Sequence, residues 1–87
     1  MRTILVPTDF SDHALFALKV AARIAKKING KIDLIHMYNL PAARFEDYKY
    51  YNKLYKEQKQ KAYRQLDELI HLDFIKDINI SKYVLTN

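Results

Sequence analysis

The nine-residue run Ile4-Leu5-Val6-Pro7-Thr8-Asp9-Phe10-Ser11-Asp12 constrains the fold of this chain more than any other segment. Its first three residues are apolar and favour a buried β-strand, and a proline then ends the strand or marks its rim. The serine and aspartate at its end favour a helix start, since one caps the first turn and the other places negative charge near it. Open α/β proteins bind ligands where a strand passes into a helix in this way. The run therefore predicts both a fold class and the position of a binding site.

A helix is predicted directly after this run. Its inward face is defined by apolar residues at helical spacing: Ala14, Leu15, Leu18, Ala21, Ala22, Ala25 and Ile28. The basic residues of the same stretch are expected to point outward. Gly30, the only glycine of the chain, is predicted to end the helix in the left-handed conformation.

Residues 31–38 predict a second strand, with Ile32, Leu34 and His36 on one face and alternate residues on the other. Strand, helix and strand form a βαβ unit, whose crossover is right-handed in nearly all proteins, so the two strands should be parallel. The first strand is apolar without strict alternation. It is therefore expected to be covered on both faces.

The second half of the chain predicts a long helix and a third strand. Residues 45–72 contain no helix breaker, and one apolar stripe recurs along them at spacings near three and four: Tyr48, Tyr51, Tyr55, Ala62, Leu66 and Leu69. Asn39-Leu40-Pro41 before this helix is expected to form a loop. Residues 78–86 contain the β-branched and aromatic residues of a strand. The predicted order is therefore β, α, β, α, β.

Composition limits the class of protein. The 87 residues, 49% of them hydrophobic and 29% charged, predict a single domain over residues 1–87 and exclude a disordered tail. No apolar run approaches the roughly 18 residues that cross a bilayer, so no membrane association is expected. The chain contains no cysteine and no signal peptide is expected at its start, which favours a cytoplasmic protein.

The positive charge of the chain raises the question of nucleic-acid binding. The net charge is +5, but the 15 lysines and arginines are scattered among acidic residues along both helices. This distribution is typical of solvated helix faces. Tyrosines interleaved with lysines can stack bases, but most of them fall on the predicted apolar stripe, and Tyr50 is the expected outlier. We therefore predict no nucleic-acid partner, and the long helix could instead serve a protein partner.

No catalytic constellation is found. His13, His36 and His71 lack the mutual spacing of metal ligands, and His36 alternates with apolar residues as packed histidines do. Ser11 is better explained as a helix cap than as a nucleophile. We therefore expect no enzymatic activity from this chain, and weak ATPase activity in a longer protein is left open.

The first 40 residues resemble the N-terminal part of a universal stress protein. The matching residues are the run Ile4-Leu5-Val6-Pro7-Thr8-Asp9-Phe10-Ser11, the alanine-rich helix ending at Gly30, and Leu34-Ile35-His36-Met37. The later helix and strand agree with that family in position without a distinctive motif. The resemblance implies an α/β fold with an open parallel sheet of the adenine-nucleotide alpha-hydrolase-like (Rossmann-like) type. In this chain the sheet would be truncated to βαβαβ with strand order 3-2-1.

The resemblance also implies a ligand site for ATP or another adenine nucleotide. Pro7, Thr8 and Asp9 would line the adenosine end of the pocket, and the backbone of Met37 would meet the adenine. The residues alone leave two roles open for Asp9. Its carboxylate at a strand tip can accept hydrogen bonds from a ribose or an adenine amine, or it can cap the backbone amides of Asp12 or His13. The resemblance favours the ligand role.

The chain departs from the family in its glycines. Members that bind ATP hold the phosphates with a glycine motif after a fourth strand, and this sequence ends before such a strand. We therefore expect the chain to be a shortened gene product or fragment that binds nucleotides weakly through adenosine. Without a fourth strand, the first strand becomes an open edge, which predicts a homodimer or higher self-association through it. The expected function is a stress-response regulator or sensor, and the alternative is a dimerisation or protein-interaction module that binds no nucleotide.

Overall fold

Strands and helices alternate along the chain in the computed structural model, which describes residues 2–38 and 48–86. The elements are β1 (Thr3–Pro7), α1 (Asp12–Ile28), β2 (Lys31–Tyr38), α2 (Tyr48–Ile70) and β3 (Ile80–Thr86). Both strand pairs are parallel, so the predicted α/β class and element order are confirmed. The third strand begins two residues later than predicted, because residues up to Ile78 form turns stabilised by the Ile78 N–H, which donates to the Ile75 carbonyl.

The sheet has β2 at its centre. The structure gives the order β1-β2-β3, whereas the sequence predicts the order 3-2-1. Both orders place β2 between the other two strands. The register aligns Ile4 with Ile32 and Ile32 with Ile80. Since β1 pairs only with β2 among the described residues, it is an edge strand, as the truncated order implies.

Both helices lie on one face of the sheet and enclose the core there. The core contains side chains from the covered face of β1 and β2, from both helices and from the turn after α2: Val6, Leu18, Ala21, Ala25, Ile32, Leu34, Leu66 and Ile75. Leu18 of α1 and Leu66 of α2 are almost completely buried. The alanines of α1 allow the helix to approach the sheet closely, as the sequence indicated.

The opposite face of the sheet is bare in the described part of the chain, which makes the expected two-sided cover of β1 wrong. Leu5 is 64% exposed and Met37 60% exposed, and Tyr83 and Leu85 of β3 are also exposed on this face. Two successive right-handed crossovers that step in the same direction put both helices on the same side. An apolar strand therefore need not be covered twice.

The end of α1 differs from the prediction. The left-handed residue is Asn29, with φ 53°, and Gly30 does not have a positive φ. The N–H groups of both residues donate to the Ala25 carbonyl, which closes the helix in a Schellman-type turn. Gly30 is needed for space: a Cβ there would lie 2.9 Å from the Arg2 carbonyl oxygen. Ile28, predicted to face inward, lies at the margin of the covered face and is 38% exposed.

The core-facing stripe of α2 is confirmed in its C-terminal half. Ala62 and Leu66 are buried and Leu69 packs against the core. Further toward the N-terminus the Tyr55 ring packs on that of Tyr38, with centroids 6.4 Å apart, and Tyr50 is 69% exposed, as expected. The predicted loop at residues 39–41, the predicted helix start at residue 45, and the side chains of Tyr48 and Tyr51 lie outside the described part.

None of the described helices is long and apolar enough to cross a membrane.

Candidate functional site

The four predicted site residues line one cleft at the carboxyl ends of β1 and β2. Pro7, Thr8, Asp9 and Met37 come together around a cavity of about 520 Å³. The cleft opens on the bare side of the sheet, since Pro7 and Met37 project from that face. Four further residues complete its lining: Ser11, His13, Ala14 and Ile35. The structure therefore brings together residues that are 30 positions apart in the chain.

Thr8 is held in place by two hydrogen bonds to β2. Its N–H donates to the Ile35 carbonyl over 2.8 Å, and its own carbonyl lies 2.8 Å from Nδ1 of His36. A carbonyl oxygen can only accept, so Nδ1 of His36 carries the proton and donates it. Thr8 itself is buried. His36, which the sequence placed in the core, thus acts as a positioning residue for the loop that follows β1.

The loop makes its turn at Phe10, which has a left-handed backbone with φ 64°. That conformation is rare for a large side chain and strained. Two contacts of Phe10 hold it there: its N–H donates to Oγ1 of Thr8 over 3.1 Å, and its ring lies 4.4 Å from that of His36. The turn directs Asp9 away from the core and into the cleft.

Asp9 is exposed and ionised. Its Oδ1 accepts a hydrogen bond from the Ser11 N–H over 2.9 Å. Hydrogen bonds from the Ser11 side chain and then from its backbone hold the pKa of Asp9 below its usual range. The expected alternative, capping of the Asp12 or His13 amides, is wrong, because Ser11 performs the capping and accepts from the Ala14 N–H over 3.1 Å. One carboxylate offers about four acceptor positions, so Asp9 retains capacity for a ligand.

Met37 presents its backbone to the cleft. Lys31 and Ile35 make their backbone hydrogen bonds to β1, whereas the Ile32 N–H donates to Asn79 before β3. Backbone groups alternate in direction along a parallel strand, so the N–H and C=O of Met37 point toward the line of β1. That strand ends at Pro7, and no partner for these two groups is found among the described residues. Met37 therefore offers a donor and an acceptor side by side.

Sequence reasoning missed His13 and Ile35 as cleft residues. Both carried a signal: His13 lies in the first helical turn after the Ser11 cap, and Ile35 precedes Met37 on the same face of β2. A second cleft of about 290 Å³ lies on the other side of the same loop, between the start of α1 and the end of α2, and is lined partly by Asp12 and Glu68. It was not predicted, because the sequence does not show which helix ends meet.

The comparisons with known proteins agree with this architecture. A sequence profile of the universal stress protein family matches residues 1–84. A solved structure from that family, from Burkholderia pseudomallei, superposes with a TM-score of 0.76 at 18% identity and covers 98% of this chain and 62% of its own. The crystal structure of a universal stress protein in complex with cAMP gives a TM-score of 0.67 at 22% identity and covers 99% and 55%. The chain thus spans about three fifths of these proteins. A comparison with curated protein sequences gives no significant match.

Proposed function

We propose that this chain, which belongs to the universal stress protein family, acts in a stress response by binding an adenine nucleotide through its adenosine half. The proposed site is the cleft formed by Pro7, Thr8, Asp9 and Met37. The observation that carries the proposal is the meeting, in one cavity, of an ionised carboxylate with a strand backbone that has no partner among the described residues. The similar fold solved in complex with cAMP supports an adenine ligand.

The ribose is assigned to Asp9. Its carboxylate is exposed in the cleft and stays ionised because Ser11 donates to it. Ribose hydroxyls are donors, and hydrogen bonds to a charged acceptor are roughly twice as strong as neutral ones. Because the loop from Thr8 to Phe10 is anchored on His36, the carboxylate is held in position before a ligand arrives.

The base is assigned to Met37. The edge of adenine carries an acceptor nitrogen and an amine donor, which match an N–H and a C=O from one residue. Pro7 and Ile35 line the same cleft and supply apolar surface for the ring. A guanine would place a carbonyl where adenine has its amine, opposite the Met37 carbonyl, so this arrangement favours adenine.

The phosphates receive little from the described site. Phosphate-binding loops use several closely spaced backbone N–H groups, commonly in a glycine-rich segment. The single glycine of this sequence, Gly30, lies at the far end of α1 from the cleft. We therefore expect adenosine, AMP and ATP to bind with similar affinities.

The test compares these three ligands and guanosine by calorimetry, using the chain, Asp9→Asn and Asp12→Asn. Asp9→Asn should weaken adenosine binding by about 10- to 100-fold, the effect of removing a hydrogen bond to a charged group. Asp12→Asn is the matched control, since its carboxylate lies only three residues away but borders the second cleft. If both variants bind adenosine as tightly as the unaltered chain does, the assignment of the ribose to Asp9 is contradicted.

The second candidate is a protein-interaction module that binds no nucleotide. It is favoured by the bare sheet face, where Leu5, Met37, Tyr83 and Leu85 are exposed together. Absence of saturable binding by every adenine ligand, with the chain folded by circular dichroism, would favour this candidate.

A further inference from the structure

The second cleft, where the start of α1 and the end of α2 meet the loop after β1, presents apolar surface that the packing of these elements leaves open. Its cavity of about 290 Å³ is lined by the apolar side chains of Phe10, Leu15, Leu69 and Leu72. Leu15 and Leu69 are half-buried, and Leu72 is 37% exposed. A ligand in this cleft would therefore cover apolar surface that water now contacts.

Two carboxylates border the apolar surface. Asp12 lies in the first turn of α1 and Glu68 in the last turn of α2, and both side chains are exposed. Neither forms an ion pair with another described residue. Asp67, the residue before Glu68, is by contrast paired with Lys82. The charges of Asp12 and Glu68 are thus both available to a ligand.

The backbone and the lining make the cleft a site of negative potential. The carbonyl end of a helix favours cations, yet the last turn of α2 contains no basic residue. The positive end of α1 amounts to about half a charge, which the full charge of Asp12 outweighs. No lysine, arginine or histidine lines the cleft. A chain with a net charge of +5 therefore has one cleft that attracts cations.

From this geometry we propose that the second cleft binds a small aliphatic diamine. Its methylene chain would pack on the leucine side chains, and its two ammonium groups would pair with Asp12 and Glu68. An ammonium group is a donor only, so the side-chain oxygen of Gln65, which also lines the cleft, can accept from it. The cavity of 290 Å³ lies just below the range of about 300–1,000 Å³ that holds drug-sized ligands. A short diamine fits this size.

The lining suits a diamine better than a metal ion or an anion. A metal ion needs several ligand atoms at once, and no group of three metal-ligating side chains is found within residues 2–38 and 48–86. An anion would be repelled by both carboxylates. The leucine side chains contribute only to a ligand that has apolar groups to bury. Charge and apolar surface together therefore favour an organic dication.

The affinity should be modest, because the cleft is shallow and both carboxylates are exposed. An ion pair at such a position strengthens binding by less than about fivefold. We therefore expect a dissociation constant on the order of 1 mM for a four-carbon diamine.

The test is a titration of the chain with the four-carbon diamine putrescine near about pH 7, where its amines are charged, followed by the amide chemical shifts in NMR spectra. Butylamine and magnesium chloride are titrated at the same ionic strength. Putrescine should give saturable shifts at the amides of Leu15, Leu69 and Leu72. It should bind at least about threefold more tightly than butylamine, which has one ammonium group. Magnesium should give no saturable shift there.

Three variants separate the contributions of charge and apolar surface. Glu68→Lys replaces an attraction by a repulsion and should weaken putrescine binding about tenfold. Glu57→Lys is the matched control, because Glu57 is also exposed and lies on the same face of α2, about 16 Å further toward its start. This distance exceeds the Debye length of about 8 Å, so the control should change the affinity less than about twofold. Leu72→Ala keeps both carboxylates and should weaken binding about two- to fivefold.

Four results would overturn the proposal. The first is the absence of saturable shifts up to about 20 mM putrescine, well above the expected dissociation constant. The second is equal weakening by Glu68→Lys and Glu57→Lys, which would indicate a diffuse attraction of cations to the chain. The third is the same set of shifts with magnesium, which would indicate carboxylates without an apolar contact. The fourth is a set of shifts confined to Asp9 and Met37, which would place the diamine in the other cleft.

Discussion

The left-handed backbone of Phe10 predicts an unusual order of stability between two variants. Phe10→Ala removes the ring that packs on His36 and keeps the positive φ of 64°, whereas Phe10→Gly removes the ring and relieves the strain. At ordinary positions, glycine is less stable than alanine by about 0.5–1 kcal/mol, because it loses more backbone entropy on folding. At Phe10 we expect the opposite order.

The magnitude follows from three contributions. Phe→Ala in a core costs about 3–5 kcal/mol, and Phe10 is half-buried, so Phe10→Ala should lower the free energy of unfolding by about 2 kcal/mol. A non-glycine residue in the left-handed region costs roughly 1–2 kcal/mol. After the entropy term is subtracted, Phe10→Gly should be more stable than Phe10→Ala by about 0.5–1 kcal/mol. That difference corresponds to a melting temperature about 2–8 °C higher in a domain of this size.

Urea denaturation followed by circular dichroism measures both variants, and Arg23 provides the control. Arg23 is exposed in the right-handed interior of α1, so Arg23→Gly should be less stable than Arg23→Ala by about 1 kcal/mol. Two pairs with opposite signs would establish the strain at Phe10. If Phe10→Ala is as stable as Phe10→Gly or more so, the contacts to Thr8 and His36 are not holding a strained turn.

Three further predictions concern the helix end, the core and the cleft. Gly30→Ala should lower the free energy of unfolding by more than about 1 kcal/mol in urea titrations, since its Cβ would lie 2.9 Å from the Arg2 carbonyl oxygen. If the variant is as stable as the unaltered chain, the segments that contain Arg2 and Gly30 can move apart easily. Leu66→Ala, at a fully buried position, should cost about 2–5 kcal/mol and lower the thermal midpoint strongly, whereas a small change would show that α2 is loosely packed. Because the pKa of Asp9 is lowered, its carboxylate stays charged down to below about pH 3.9. Adenosine affinity measured by calorimetry should therefore be constant from about pH 8 to 5 and fall only in stronger acid. A loss of affinity already near neutral pH would show that another group controls binding.

Local signals in the sequence predicted the order of the helices and strands. The Ser11 cap and the parallel pairing of β1 with β2 follow from short-range patterns and the handedness rule. The meeting of Asp9 with Met37 was implied by the family resemblance, and the structure places both residues at one cleft. Their ligand role stays a prediction. The sequence did not show that Asn29 rather than Gly30 takes the left-handed conformation, because asparagine and glycine both tolerate it. The reason for Gly30 lies in Arg2, a contact between segments that no local pattern contains.

The edge position of β1 links the cleft to the open side of the sheet. Because both helices cover one face, the cleft is walled by Pro7 and Met37 from the bare face and by the start of α1, and it is open beyond β1. The residues that line the cleft include the carboxylate of Asp9 and neither a lysine nor an arginine. Because a carboxylate attracts donors and repels anions, this lining suits the hydroxyls of a ribose better than a phosphate.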